Sequence, residues 1–384
     1  MYSCGCGSLA HKDSGGIEIH RHRTGCSTTL SASEITSRHD LLLESSKGFI
    51  LRILVAGGAG YIGSHACKAL ARAGHLPIVI DDLSTGNEWA VRWGSLVRGN
   101  IGDRDLVVRI LQNEKIDAVM HFAACAYVGE SMLQPEKYFQ NNVVNTLNLL
   151  ASMREAGVNN IVFSSSCATY GNPQRLPLDE SHPQNPVNPY GESKLFIEKV
   201  LRWYGEAYGM RWAALRYFNA AGADADAEIG EAHDPEPHLI PLVIQAARGI
   251  RPEVCIFGTD YATPDGTAIR DYIHVEDLAQ AHILAIQYLA RGGESGAFNL
   301  GTGQGYSVRD IIAAVEKLSD KKVPTQEKGR RAGDPERLVA GAERANRILG
   351  WQPAYGLDAI VATAWAWETR RLEQPLNLPY KEVR

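Results

Sequence analysis

The chain has no apolar run long enough to cross a membrane. Its longest stretches, such as Ile53–Ile62, fall far short of the ~20 residues a spanning helix needs. It also has no excess of positive charge. Lys plus Arg number 39 against 44 Asp plus Glu, a net charge of −5, so there is no dominant basic field to hold phosphate backbones and no nucleic-acid partner is expected. A disulfide framework is missing too: the seven cysteines, at 4, 6, 26, 67, 125, 167 and 255, are odd in number and fit a reduced, cytoplasmic setting. Cys4, Cys6, Cys26, His11, His20 and His22 gather early. They lack the paired CxxC or HxxxH spacing of a zinc site, so this segment reads as an unstructured tail and no metal is expected.

What is present is ordinary globular material. Hydrophobic residues make up 45% and charged residues 22% of the 384, enough chain for two or three domains at ~150 residues each. Residues 1–50 are rich in Ser, Gly, Thr and His, show no period of 2 or 3.6, and read as a disordered extension. Arg21, Arg23 and Arg38 among Ser and Thr resemble a transit peptide, whereas Asp13, Glu18, Glu34, Asp40 and Glu44 count against one; a misassigned start codon explains the segment equally well.

From residue 51 short apolar runs alternate with helical patterns. Strands are expected at Arg52–Ala56, Leu76–Ile80, Ala118–Phe122 and Asn160–Ser164, and helices near Gly63–Ala73, Arg104–Gln112 and Pro135–Glu155. This β-α-β-α rhythm predicts an α/β, Rossmann-like doubly wound parallel sheet covered on both faces. After Asn219 the rhythm loosens, with helices near His238–Arg248, Val275–Leu289 and Ser307–Leu318. We therefore expect a Rossmann domain over 51–219, with segments near 272–302 returning to it, and a smaller α/β substrate lobe over 220–384.

Within that rhythm the first strand runs directly into Gly57-x-x-Gly60-x-x-Gly63 and a helix. Glycines there permit a tight turn and let backbone N–H groups approach a pyrophosphate at the helix N-terminus. Asp81 ends the next strand ~20 residues on, where a carboxylate accepts from a ribose 2′-OH and repels a 2′-phosphate. NAD is therefore favoured over NADP, and Asp82 could share or take over the ribose role.

Further along, Tyr190-Gly-Glu-Ser-Lys194 follows Asn188-Pro189, and proline suits a helix start. Tyrosine and lysine four apart share one helix face. An unperturbed phenol, pKa ~10, is only ~0.1% ionised at neutral pH; a nearby ammonium and a nicotinamide cation would favour the phenolate and make it a usable base. Ser164-Ser165-Ser166 is placed just past a strand, and the C-terminal strand ends are where such sheets bind ligands. From there Ser166 could bridge the reacting hydroxyl and Tyr190.

With these elements the chain resembles the extended short-chain dehydrogenase/reductases, and within them the nucleotide-sugar 4-epimerase branch, over about residues 52–370. The matching motifs are Gly57–His65, His121–Ala124, Val128–Ser131, Ser164–Gly171, Tyr190–Lys194, Arg216–Asn219, Gly266–Val275, Asn299–Gly301 and Arg330–Asp334. The resemblance implies interconversion of UDP-glucose and UDP-galactose on tightly held NAD, with no net redox change. Tyr190 is then the base, Lys194 its tuning group and nicotinamide-ribose holder, and Ser166 the orienting hydroxyl.

On the cofactor side the resemblance adds Tyr61, Ile62, Asn100, Ile101, Phe122, Ala123, Asn141, Ser164 and Tyr217. On the substrate side it implies Asn219 and Arg270 at the diphosphate, Arg331 and Asp334 at the uridine ribose, and Phe218, His238, Leu239, Cys255, Phe257 and Leu338 around the nucleotide sugar. It also implies a homodimer through a helix pair that includes the Tyr190 helix. Four positions depart from the pattern. Asn100 replaces an Asp beside adenine, Ala126 a cofactor-binding lysine, His238 an Asn on the nucleotide, and Leu338 a Tyr or Cys at the pocket wall.

Two other readings compete. A nucleotide-sugar 4,6-dehydratase needs an acid and a base right after the Ser position, where this chain has Cys167 and Ala168. A regulatory NAD-binding protein would have no need of Ser166, Tyr190 and Lys194 together.

Overall fold

The first strand alternates its side chains between two apolar layers, so the sheet lies between them. The computed structural model describes residues 50–331 and 334–373; the expected extension, with its early cysteines and histidines, lies outside the described residues. Seven strands form one parallel sheet: β1 (Arg52–Ala56), β2 (Leu76–Asp81), β3 (Ser95–Arg98), β4 (Ala118–His121), β5 (Asn160–Ser166), β6 (Arg211–Tyr217) and β7 (Gly296–Leu300). Their spatial order is β7-β6-β5-β4-β1-β2-β3.

Ile53, Val55, Val79, Met120 and Val162 face one layer, made by α1 (Tyr61–Arg72) and α6 (Val275–Ala290). Leu54, Ala56, Ile78, Ile80, Val119, Ile161 and Phe163 face the other, made by α2 (Arg104–Asn113), α3 (Asn145–Ala156) and α4 (Pro189–Tyr208). Both faces are dry, so the strands read as continuous apolar runs. Strand order reverses between β1 and β4, which opens a crevice at their carboxyl ends.

A separate core joins α5 (Leu239–Ala247), α7 (Val308–Ser319) and α8 (Leu357–Glu373) through Ile240, Val243, Ile244, Ile311, Val315, Ile360 and Val361. Short strands lie between this core and the sheet. Asn219–Ala221 pairs with Tyr272–His274, and Ile269–Arg270 runs between Tyr306–Ser307 and Arg337–Leu338.

Several local features differ from the sequence expectation. β3, β6 and β7 were not among the four expected strands, β7 falling within the 272–302 segment expected to return; Ser95–Arg98 is only partly buried and short. β5 runs two residues further, so Ser166 ends the strand instead of following it. The expected continuous helix over 135–155 is broken by a π-helical turn at Phe139–Val144 before α3 begins. Such turns insert one residue and re-aim the side chains around it.

Candidate active site

The turn after β1 is fixed by backbone contact on two sides. Gly57 has φ +82°, and a Cβ added there would lie 2.5 Å from the Ala123 nitrogen. A Cβ on Gly63 would lie 2.2 Å from the Gly57 carbonyl oxygen. Gly60, the residue before α1, is different: its added Cβ meets only that oxygen, at 3.4 Å. Space therefore opens over the first N–H groups of α1, whose first turn carries no acidic side chain to compete with an anion.

Asp81 ends β2 and is buried; its carboxylate accepts from the Ala59 N–H at 3.0 Å and the Leu83 N–H at 2.9 Å. Burial raises its pKa, and those two hydrogen bonds work against the rise. Asp82 is exposed, accepts from the Ser84 N–H at 3.0 Å and takes the Asn100 amide at 2.9 Å. The amide at position 100 thus ties Asp82 to the β3 end, where an aspartate would repel it, and its own oxygen accepts from the Gly102 N–H at 2.8 Å. Ile101 is buried in the α2/α3/α4 layer. Tyr61 donates to the Gly222 carbonyl at 2.6 Å, and half-buried Ile62 packs on the α1/α6 layer. Phe122 and Ala123 both donate their N–H to the Ala56 carbonyl, at 2.7 and 3.0 Å, which seats the loop after β4 against the glycine turn.

The expected catalytic residues come together at the carboxyl end of β5. Asn188 caps α4 by accepting from the Gly191 N–H at 2.8 Å, and Pro189 opens the first turn. The Ser166 hydroxyl is the neighbour that eases ionisation of Tyr190. Lys194, one turn on and buried, donates to the Ser164 carbonyl at 2.7 Å and lies 5.7 Å from the centroid of the Tyr190 ring. Ser164 also hydrogen-bonds the Tyr217 hydroxyl through its own. Burial pushes Tyr190 up to about 12 despite the Ser166 hydrogen bond. Burial likewise lowers Lys194 to about 7, with Cys125 and Glu198 opposing that fall. In the protein alone, then, burial outweighs the Ser166 hydroxyl at the phenol, and positive charge brought beside it would favour the phenolate.

The residues expected on the substrate side all lie beyond β6 in the chain. Asn219 donates its N–H to the Asp271 carbonyl at 3.0 Å. Arg270 pairs with Asp334 at 2.9 Å and is aligned in register with Leu338 on the neighbouring strand. The Arg331 guanidinium lies over the Phe257 ring at 3.9 Å, and Cys255 shares that strand, Val254–Phe257. Leu338 is half-buried and packs with Cys167, Tyr170, Leu178, Phe218 and Ala340, next to Ser166. His238 precedes Leu239 at the start of α5, and its Nδ1 is turned onto Glu231 at 2.6 Å and Glu236 at 3.1 Å.

Residues 53–301 match the model of the NAD dependent epimerase/dehydratase family. The chain belongs to that family. Among its relatives is the UDP-glucose 4-epimerase of Rhizobium meliloti, 51% identical over 319 residues that cover 83% of this chain and 97% of that protein. The crystal structure of UDP-glucose 4-epimerase from Brucella ovis in complex with NAD superposes with a TM-score of 0.81 at 51% identity, over 82% of this chain and 98% of that one. The enzyme from Stenotrophomonas maltophila, with bound NAD and formylated UDP-arabinopyranose, gives 0.82 at 41%, over 84% and 99%.

The residues present fit the dinucleotide of an NAD-dependent epimerase or dehydratase: two glycines lock the turn, and the third leaves room for an anion above α1. Three organising groups escaped the sequence reading. Asn142, fully buried in the π-helical turn, accepts from the Cys125 N–H at 2.8 Å and donates to the Cys125 carbonyl and Ser193 Oγ, each at 3.0 Å. It clamps the loop after β4 to α4, while the neighbouring Asn141 stays half-buried and donates to the Asn142 amide oxygen at 3.2 Å. Buried Glu198 takes Ser165 and Arg216, both at 2.5 Å, behind the catalytic strand. Asp271, fully buried, accepts from Thr302, Gly303 and Ala340 and so holds the Arg270 and Leu338 strands together. The signal for Asn142 was its place beside Asn141; nothing local distinguishes Glu198 from a surface helix carboxylate.

Proposed function

We propose that the chain interconverts UDP-glucose and UDP-galactose by inverting C4 through a transient 4-keto sugar, with NAD held in the crevice between β1 and β4. The observation that carries this reading is the meeting of Ser166, Tyr190 and Lys194 at the end of β5. NAD, when bound, would supply reversible hydride chemistry at C4. Tyr190 removes the 4-OH proton, Ser166 orients that oxygen, and Lys194 supplies charge beside the phenol. Asp81 or Asp82 serves the adenosine ribose, Asn100 and Ile101 flank the adenine, and Phe122, Ala123, Asn141, Ser164 and Tyr217 line the nicotinamide side.

Asn219 and Arg270 take the diphosphate. Arg's planar fork suits two phosphate oxygens at once, and its pairing with Asp334 holds it ready. Arg331 and Asp334 serve the uridine ribose, with Phe218, His238, Leu239, Cys255, Phe257 and Leu338 completing the wall. This reading keeps residues 51–219, with β7 returning to the sheet, as the cofactor half and 220–384 as mainly the substrate half. The 4,6-dehydratase reading lacks its proton carriers: Ala168 has none, and burial pushes the Cys167 thiol up to about 12.

The reading extends to a homodimer formed through α4. Phe196 and Trp203, seven residues apart on that helix, are 49% and 58% exposed, and Phe139 and Val144 are exposed on the π-helical turn that packs against it. A cluster of this kind is commonly an interface. A cytoplasmic setting agrees with free thiols at Cys67, Cys125, Cys167 and Cys255; among the described residues no helix is long and apolar enough to cross a membrane. Incubating the purified protein with UDP-galactose and no added cofactor tests the reading. UDP-glucose is the expected product, and a 4-keto-6-deoxy sugar or no turnover overturns it.

A further inference from the structure

Two clusters of metal-ligating side chains lie away from the Ser166–Tyr190–Lys194 group. In the first, Asp224, Asp226 and Glu228 surround the Lys68 ammonium at 2.6, 3.4 and 2.7 Å. A cation already fills it. In the second, Glu231, His233, Glu236 and His238 bring one ligand atom each to within 4.8 Å of one another.

We propose that this second cluster binds one divalent transition ion of the zinc class, with two imidazole nitrogens and two carboxylates as ligands. The spacing is Glu231-x-His233-x-x-Glu236-x-His238, which matches neither the paired-cysteine nor the paired-histidine pattern. Both histidines point the same atom, Nδ1, at the same two carboxylates. His233 Nδ1 lies 3.1 Å from Glu231 and 3.6 Å from Glu236; His238 Nδ1 lies 2.6 and 3.1 Å from the same two groups. Four-coordinate zinc with bonds of about 2.0–2.1 Å sets its ligand atoms about 3.3 Å apart, so three of these four separations already have the spacing of such a shell.

An independent observation points the same way. Glu231 is only 7% exposed, yet its Oε1 has no hydrogen-bond partner, and neither has His233 Nδ1. His238 Nδ1 meets Glu236 Oε1 as donor and acceptor at 3.1 Å, while Glu231 Oε1 lies 2.6 and 3.1 Å from the two Nδ1 atoms outside hydrogen-bond geometry. Despite burial, the two carboxylates raise the pKa of both imidazoles, so an arriving ion would displace the protons they hold. A buried carboxylate oxygen left without a hydrogen-bond partner is costly unless something positive takes it.

The surroundings hold the ligands in place. Trp367 donates its indole N–H to the Glu231 carbonyl at 2.8 Å, and the rings of Tyr61 and Tyr127 meet the His233 ring edge-on at 6.5 and 5.9 Å. The Glu236 carboxylate also accepts from the His238 N–H at 2.9 Å, which locks two ligands to each other. Two imidazoles and two carboxylates suit zinc, cobalt or nickel over magnesium or calcium. With four protein ligands and no position left open, the ion's role is structural. It would fasten the 231–238 loop beside Tyr61 of the glycine turn, leaving His238 only Nε2 for any nucleotide.

The test uses the full chain, stripped with a chelator and titrated without sugar, so its outcome is separate from that of the epimerase reading. Zinc should bind at one per chain and raise the melting temperature, and cobalt should give the d–d absorption of a four-coordinate nitrogen and oxygen site. Glu231→Gln and His233→Ala should each weaken zinc binding more than about 100-fold, beyond the range seen when only groups behind a ligand are changed. They should also abolish the thermal shift. Glu236→Gln serves in place of either variant that fails to fold by circular dichroism. Failure of the wild type to take up zinc, uptake unchanged in folded variants, or cobalt–thiolate absorption marking the cysteines as ligands would each overturn the proposal.

Discussion

Replacing Gly63 by alanine puts a methyl group 2.2 Å from the Gly57 carbonyl oxygen and 2.9 Å from the Gly58 Cα. Both obstacles are backbone, and neither can swing aside. The turn they belong to is itself held, since the Gly57 N–H donates to the Ile80 carbonyl at 2.9 Å. Ordinary contact begins at 3.4 Å, so α1 and the turn must separate by about 1.2 Å for the methyl to fit. Overpacking of this kind costs ~1–3 kcal/mol. Alanine's better helix propensity returns ~1 kcal/mol, which leaves a net loss of up to ~2 kcal/mol. Because the shift falls on the turn that faces the pyrophosphate, NAD occupancy should drop with it.

Gly60→Ala is the contrasting control. Its methyl would meet only one atom, at 3.4 Å, so stability should change by no more than the ~1 kcal/mol of a weakened helix cap, while NAD is displaced from the space above α1. Thermal unfolding of both variants, together with NAD released on denaturation, measures the two effects separately. A Gly63→Ala protein with unchanged melting temperature and full NAD, or a Gly60→Ala protein with full NAD, refutes the argument.

Further outcomes follow from the site. Tyr190→Phe should retain NAD yet lose turnover by ~100-fold or more, the scale of a positioned acid–base group; full turnover in the folded variant ends the assignment. Lys194 has a native pKa lowered by burial to about 7 against an ordinary 10.5, so between those values the unfolded chain binds a proton that the native chain does not, and NAD-free protein gains stability from this group as pH rises from 7 to 10.5. Lys194→Met should remove that part of the slope in denaturant titrations at pH 7, 8 and 9, and an unaltered slope contradicts it. Leu338→Ser should shift the rate ratio toward UDP-N-acetylglucosamine by ~10–200-fold; an unchanged ratio with a lower melting temperature shows that the side chain only packs against Cys167 and Phe218.

How much of this was legible in the sequence depends on range. The glycine turn, Asp81 and the Tyr190–Lys194 pair are encoded within one strand–turn–helix or one helical turn, and Asn188-Pro189 marks its own helix start. Those features need no tertiary partner to be read. The pKa balance at Tyr190 was not legible, because it is decided by burial on every side and not by the four-residue spacing to Lys194. The π-helical turn around Asn142 was hidden by an apolar pattern that suits a continuous helix, and its cause is a distant loop, the Cys125 backbone. The roles of Glu198 and Asp271 rest on Arg216 and on Thr302 and Ala340, which join them only once the sheet has closed. β3 escaped because an edge strand only partly buried carries little apolar signal.

The central claim, that hydride leaves and returns to C4 of one sugar within a single site, is tested most directly with UDP-galactose carrying deuterium at C4, incubated with the purified protein and no added cofactor. The account predicts UDP-glucose that retains the deuterium at C4, as read by mass spectrometry and NMR. Product with the label lost to solvent, or a released keto sugar with the label left on the cofactor, would contradict it.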